Sequence, residues 1–137
     1  MFHLLFVYGT LMSGFSANVF LSDTNFVGYG ILYGGKLLHL KDGYPAVIEG
    51  NGRVFGEVYQ VDYSTLKAID FFEDFFEDFP EKSLYLRVKK PVRLLPYNDF
   101  IDAWVYFLNT SLLSIDVQYF EIPSGNWREF LKKFLML

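Results

Sequence analysis

The 137-residue sequence predicts an α+β protein, a curled sheet or small barrel of short strands with a few helices. Three observations predict it. As far as Val61, strand-length apolar runs alternate with turns rich in Gly, Asn and Asp. At Asp62 the apolar spacing changes to three or four residues, the period of a helix. Beyond residue 84 the strand pattern returns, and it closes in a second helical stretch after Ile122-Pro123-Ser124-Gly125.

The first element is the apolar run Leu4 to Val7, read as a buried strand that ends abruptly in Tyr8-Gly9-Thr10-Leu11. Gly9 lets the backbone turn tightly and approach a ligand closely. Amides left unladdered by such a turn hold anions well when they converge on a cleft. On the residues alone, an ordinary strand and turn accounts for the same pattern. Met12 to Ser22 is mixed and reads as a short helix or loop.

Phe26 to Tyr33 is a strand whose Gly28 and Gly30 signal a bulge or a close backbone contact. The spacing of Gly28, Gly30 and Gly34 has the wrong interval for a dinucleotide fingerprint, and no helix follows it. Gly34-Gly35 is expected as a hairpin turn into Lys36 to Leu40, Asp42-Gly43-Tyr44-Pro45 as another turn, and Asn51-Gly52 as a third. Ala46 to Ile48 is a short strand. Arg53 to Val61 then alternates, with Val54, Gly56 and Val58 on one face and Phe55, Glu57 and Tyr59 on the other.

Asp62 or Ser64 can cap the helix that follows. Leu66, Ile69, Phe72, Phe76 and Phe79 form its apolar stripe up to Pro80, and Asp70, Asp74 and Asp78 are placed on the opposite side. Phe71 and Phe75 fall outside the stripe and need another surface to meet. The tetrad Phe-Phe-Glu-Asp occurs twice in succession, at 71–74 and 75–78. Leu84 to Leu95 is a strand with Pro91 at an edge or bulge, and Ile101 to Leu108 is the last clear strand. Asn126 is the expected cap of the closing helix, with Glu129 completing an arrangement like a capping box.

Composition narrows the function. A chain of this length forms one domain, residues 1–137, and buries roughly two-thirds of its unfolded surface. With 52% hydrophobic residues, 16 Phe and 10 Tyr, it is not a disordered chain. A net charge of −4 argues against a nucleic-acid surface, and the absence of cysteine removes thiol nucleophiles, disulfides and thiolate metal sites. Residues 1–22 carry no Asp, Glu, Lys or Arg, yet they have no basic flank and their apolar run is too short for export or a membrane span. A soluble cytoplasmic protein with no membrane partner is expected.

The only histidines, His3 and His39, sit in strand patterns and supply no ligand set for a metal. No Gly-x-Ser-x-Gly elbow is present, so the carboxylates carry the candidate chemistry. On a continuous helix Glu73 projects between Leu66 and Ile69, facing the core, while Glu77 is rotated toward the acidic side. A carboxylate against apolar surface has its pKa raised toward neutrality, where a general acid/base works best. A helix-edge glutamate whose head reaches water fits the same position.

Taken in order, several segments are similar to a known family: Val7-Tyr8-Gly9-Thr10-Leu11, Gly43-Tyr44-Pro45-Ala46-Val47, Val54-x-Gly56-Glu57-Val58-Tyr59 and Leu66-x-x-Ile69-Asp70-x-x-Glu73. They continue with Tyr85-x-Arg87, Ala103-Trp104-Val105-Tyr106 and Ile122-Pro123-Ser124-Gly125-Asn126-Trp127. The ordered set resembles the γ-glutamylcyclotransferase-like proteins of the AIG2-like branch over nearly the whole chain. The resemblance implies a small mixed β-barrel flanked by helices, with a cavity at the end of the first strand. It implies that Tyr8, Gly9, Thr10 and Leu11 bind the α-carboxylate end of a γ-glutamyl substrate through backbone amides, with Tyr85 at the site. The glutamate closing the Asp-x-x-Glu motif would be the acid/base.

The implied reaction cyclises a γ-glutamyl amine or small γ-glutamyl peptide to 5-oxoproline and needs no metal or cofactor. Counted forward from Gly56 the catalytic position is Glu73; counted back from Tyr85 it is Glu77. The inward helical phase favours Glu73. Two other classes of function stay open: a binding protein that keeps the cavity without turnover, and an interaction module using Phe71 and Phe75. The protein is expected as a monomer or homodimer.

Overall fold

The computed structural model describes residues 2–112 and 118–134. Strand β1 (Phe2–Val7) lies at the centre because Leu5, Phe6 and Val7 are apolar on both faces and all three are buried. It pairs antiparallel with β3 (Pro45–Asp62), from Phe2 opposite Asp62 to Val7 opposite Glu57. On its other side it runs parallel to β5 (Phe100–Leu108), with Leu5 beside Trp104. Strand β4 (Tyr85–Leu94) pairs antiparallel with β5, and β2 (Asn25–Leu40) reaches both β4 and β3. The circuit β3-β1-β5-β4-β2 therefore closes on itself as a mixed barrel, and the short β6 (Tyr119–Glu121) extends the β2 edge.

Two of the expected hairpin turns are not turns. Gly34-Gly35 and Asn51-Gly52 lie inside β2 and β3, which form one long bent ribbon turning at 41–44, where Leu40 N donates to Tyr44 O at 2.8 Å. The glycines serve a bend instead. The ladder shifts register between Tyr33 and Gly35, Gly34 has φ +81°, and a Cβ at Gly52 would stand 2.8 Å from the Gly35 carbonyl oxygen. The bulge expected at Gly28 is present, with a register shift between Phe26 and Gly28. Pro91 sits in β4 opposite Asp102, on a strand that β2 meets only at Arg93 and Leu94.

Helix α1 (Tyr63–Phe72) starts where expected, with Asp62 Oδ1 accepting from Thr65 N at 2.8 Å. It stops about two turns before Pro80, so the stripe ends at Phe72. Asp74 adopts φ 54°, Phe75 N donates to Asp70 O at 2.9 Å, and Leu84 N donates to Asp74 O at 3.0 Å. Ser83 Oγ accepts from Phe76 N at 2.8 Å, drawing the second Phe-Phe-Glu-Asp into a loop. Phe76 and Phe79 are consequently exposed rather than core residues. Phe71 is 80% exposed, whereas Phe75 is partly buried and packs on the core beneath Arg87.

Helix α2 (Trp127–Phe134) begins at Asn126, whose Oδ1 accepts from Glu129 N at 3.1 Å. Trp127 and Leu131 turn inward, and Trp127 Nε1 donates to His39 Nδ1 at 3.2 Å. The His3 ring meets Tyr63 at a tilt while His39 lies against Phe130 of α2, so the two histidines sit on different parts of the barrel. No helix among the described residues is long and apolar enough to cross a membrane.

Candidate active site

The apolar run of β1 drives that strand through the core and delivers Tyr8-Gly9-Thr10-Leu11 to the barrel end, against a cavity of about 350 Å³. Its walls include Tyr8, Gly9, Thr10, Leu11, Glu73 and Tyr85, which brings every site residue expected from sequence, except Glu77, to one place. Met12 N donates to Gly9 O at 3.0 Å and closes the turn. Among the described residues no acceptor pairs with the amides of Thr10 and Leu11. Gly9 is required by close approach, since a Cβ there would overlap Pro45 Cγ.

Three tyrosines brace the cavity. The Tyr8 hydroxyl donates to Tyr106 O at 2.7 Å and that of Tyr85 to Pro45 O at 2.9 Å, so both rings are fixed from behind. Burial, followed by neighbouring charge, raises the pKa of both phenols, which stay neutral donors. The Tyr106 hydroxyl donates to Asp70 Oδ1 at 2.6 Å, and burial raises its pKa as well.

Glu73 follows the last residue of α1, its N–H still bonded to Ile69 O at 2.8 Å. Burial is the main cause, and the Asp74 charge a second, that push its pKa from 4.5 to about 7. Among the described residues its carboxyl group has no hydrogen-bond donor. The end of the helix is held by Asp70, which sequence periodicity assigned to the outer acidic face. Asp70 is instead 2% exposed. Its carboxyl accepts from Arg87 Nε at 2.7 Å, Arg87 Nη2 at 3.2 Å and Tyr106, because the last turn of α1 lies against β4 and β5. Arg87 is itself covered by Trp104, 4.3 Å from the ring centre, and neither residue lines the cavity.

Glu77 is elsewhere. It projects from the loop, accepts from Lys67 Nζ at 2.9 Å, and the lysine lowers its pKa. Asp42, Tyr44, Phe72 and Asp74 complete the cavity rim, and none was singled out from sequence as a site residue. Glu57 was also missed. It is 3% exposed and lies behind the β1 loop, where Ser13 and Arg128 reach it. Its sequence signals were its place on an alternating strand and within the Val54-x-Gly56-Glu57-Val58-Tyr59 segment, neither of which assigned it a role.

This architecture has known counterparts. A family model described as gamma-glutamyl cyclotransferase, AIG2-like, matches residues 5–129. The chain belongs to that family. A Vibrio cholerae protein provisionally named a gamma-glutamylcyclotransferase is 40% identical over 127 residues, covering 91% of this chain and 95% of that one. The gamma-L-glutamyl-butirosin B gamma-glutamyl cyclotransferase of Niallia circulans is 28% identical over 126 residues, 92% of this chain and 76% of the relative. Among solved structures, an AIG2-like protein from Mus musculus superposes with a TM-score of 0.69 at 28% identity, covering 91% of this chain and 93% of its own. The mixed barrel is thus the gamma-glutamyl cyclotransferase, AIG2-like fold.

Proposed function

We propose that the protein is a cyclotransferase that converts a γ-glutamyl amine or small γ-glutamyl peptide to 5-oxoproline and releases the amine, with Glu73 as general base and acid. The observation that carries this reading is a single recessed carboxyl, with a pKa near 7, on the same cavity as a loop with free amides. The Thr10 and Leu11 amides would take the substrate α-carboxylate, placing its α-nitrogen toward Glu73.

The chemistry balances with this chain's own groups. Glu73 takes a proton from the α-ammonium, and the freed amine attacks the γ-carbonyl carbon. The new C–N bond closes a five-membered lactam as the γ-amide C–N bond breaks. The proton on Glu73 passes to the leaving nitrogen, and the second proton shed by the ring nitrogen follows the same route, so the amine departs as an ammonium. Nucleophile and electrophile share one molecule, so folding the substrate supplies much of the rate. Tyr8 and Tyr85, neutral and braced, wall off water.

Lining charge bears on the leaving group. Asp42, Glu73 and Asp74 border the cavity, with Tyr44 and Phe72, and no Lys or Arg is among the described lining residues. A leaving amine without its own carboxylate fits that rim better than a peptide with a free C-terminus.

The test is 5-oxoproline release from a panel of γ-glutamyl amines and peptides by wild type, Glu73→Gln and Glu77→Gln. Turnover by wild type and Glu77→Gln, with Glu73→Gln inactive, is the expected result. Loss in Glu77→Gln alone would move the acid/base to that residue. No product from any substrate would favour a binding protein on the same barrel.

A further inference from the structure

The substrate loop is held from behind by a polar cluster that the cyclisation itself does not use. Glu57 on β3 is buried at the rear of the loop and outside the cavity lining. Its carboxyl accepts from Ser13 N at 2.8 Å, Ser13 Oγ at 2.9 Å, the Tyr59 hydroxyl at 2.8 Å and Arg128 Nη2 at 3.3 Å. Arg128, from α2, also donates to Ser13 O at 2.7 Å. Ser13 is therefore gripped at its N–H, its hydroxyl and its carbonyl. Two residues back, Leu11 O accepts from Asn18 Nδ2 at 2.8 Å, and the same amide reaches the Tyr59 hydroxyl at 3.3 Å.

Packing explains only part of this order: Tyr8, Leu11 and Met12 are in the core. Ser13 and Gly14 are exposed, so burial cannot fix the loop where it leaves the cavity. The polar contacts do so, and α2 adds the Arg128 guanidinium 5.2 Å from the Phe15 ring centre. Ahead of the Ser13 anchor the turn is closed by Met12 N donating to Gly9 O. The directions of the Thr10 and Leu11 amides follow from those anchors. Amides that receive a carboxylate bind well only when already ordered, because otherwise each binding event bears the ordering cost.

We propose that Glu57 and Arg128 form a clamp that sets the substrate loop, which makes them positioning residues for α-carboxylate binding. This rests on the assignment of the loop under Proposed function. The clamp ties C-terminal helix α2 to the N-terminal loop across β3, so substrate affinity depends on a helix that contributes nothing to the cavity wall.

The experiment compares wild type with Glu57→Gln, Arg128→Ala and Arg128→Lys, using γ-glutamyl-butylamine and following both 5-oxoproline release and backbone amide hydrogen exchange. Glu57→Gln and Arg128→Ala are expected to raise KM about tenfold and leave kcat within about twofold, with Arg128→Lys recovering most of the loss. Exchange at the Met12 and Ser13 amides rises about tenfold in the same variants, with β1 and β3 unchanged. Misfolding alone would lower kcat through the active fraction and leave KM unmoved, and that pattern overturns the proposal. Unaltered exchange at the Met12 and Ser13 amides overturns it too. If wild type releases no 5-oxoproline, the cyclotransferase reading fails, and exchange alone then decides the clamp. Should Glu57→Gln not fold, Arg128→Ala, at a half-buried site, decides in its place.

Discussion

Replacing Glu73 by Gln separates the cost of its site from its chemistry. The carboxyl has its pKa pushed from 4.5 to about 7, chiefly by burial. The folded state therefore holds this proton more tightly than the unfolded chain does. Stability associated with the neutral acid is complete below about pH 4.5 and is lost as pH rises through about 7. A shift of this size corresponds to about 3 kcal/mol of destabilisation once the group is ionised. Gln has nearly the same shape and never ionises. Glu73→Gln is thus expected to match wild type in urea unfolding near pH 4, and to exceed it by about 3 kcal/mol near pH 8. That is about 10 °C in melting temperature for a chain of this size. Under the proposed mechanism the same substitution is expected to abolish turnover, and wild-type kcat/KM to climb with pH through an apparent pKa near 7. A stability difference that stays flat across pH, or a rate limb centred near 4.5, would refute the claim that Glu73 is desolvated and acts as the base.

Other substitutions probe the walls. Gly9→Ala forces a methyl against Pro45, whose carbonyl holds Tyr85, and is expected to cost about 1–3 kcal/mol in thermal unfolding and to raise KM. Asp70→Asn leaves the covered Arg87 guanidinium without its anion; urea unfolding should show a loss of about 3 kcal/mol, with kcat falling as the end of α1 loosens beneath Glu73. With Asp42 and Asp74 on the rim, kcat/KM for γ-glutamyl-butylamine should exceed that for γ-glutamyl-glycylglycine by about tenfold, and added salt should narrow the gap. Equal rates at low salt would remove the rim carboxylates from specificity.

Local pattern made some of this legible. Leu4 to Val7 announced a buried strand, the change of period announced α1, and Asn126 announced the start of α2. Glu73 could be placed inward because it stays in phase with Leu66 and Ile69 up to the end of α1. Asp70 was misplaced for a different reason. Its partners Arg87 and Tyr106 come from β4 and β5, 17 and 36 residues away, and no helical wheel contains them. Gly34-Gly35 and Asn51-Gly52 each carry the composition of a hairpin turn. Only their pairing across one bent ribbon reveals that they relieve crowding where two strands fold over together. Strand β6 is three exposed residues on an edge, too short for any period to show. The helix overrun to Phe79 came from the repeated tetrad, which preserves the spacing while Asp74 breaks the backbone.

Three glutamate and aspartate side chains turn toward the inside of this barrel end, and their surroundings sort them. Asp70 is saturated by Arg87 and Tyr106, and Glu57 by Ser13, Tyr59 and Arg128. Each is fixed as an acceptor in bonds that hold helix α1 or the loop after β1 in place. Glu73 is desolvated without comparable compensation among the described residues, so its two protonation states lie close in free energy near pH 7. A group that must take a proton from one nitrogen and return it to another within a turnover needs that near-equality. The satisfied Asp70 fixes the end of α1 and so holds Glu73, the next residue after that helix, in its recessed position. Loosening the Asp70 network should therefore lower the apparent pKa of the rate profile toward that of a free glutamate, even where the cavity wall itself is unchanged.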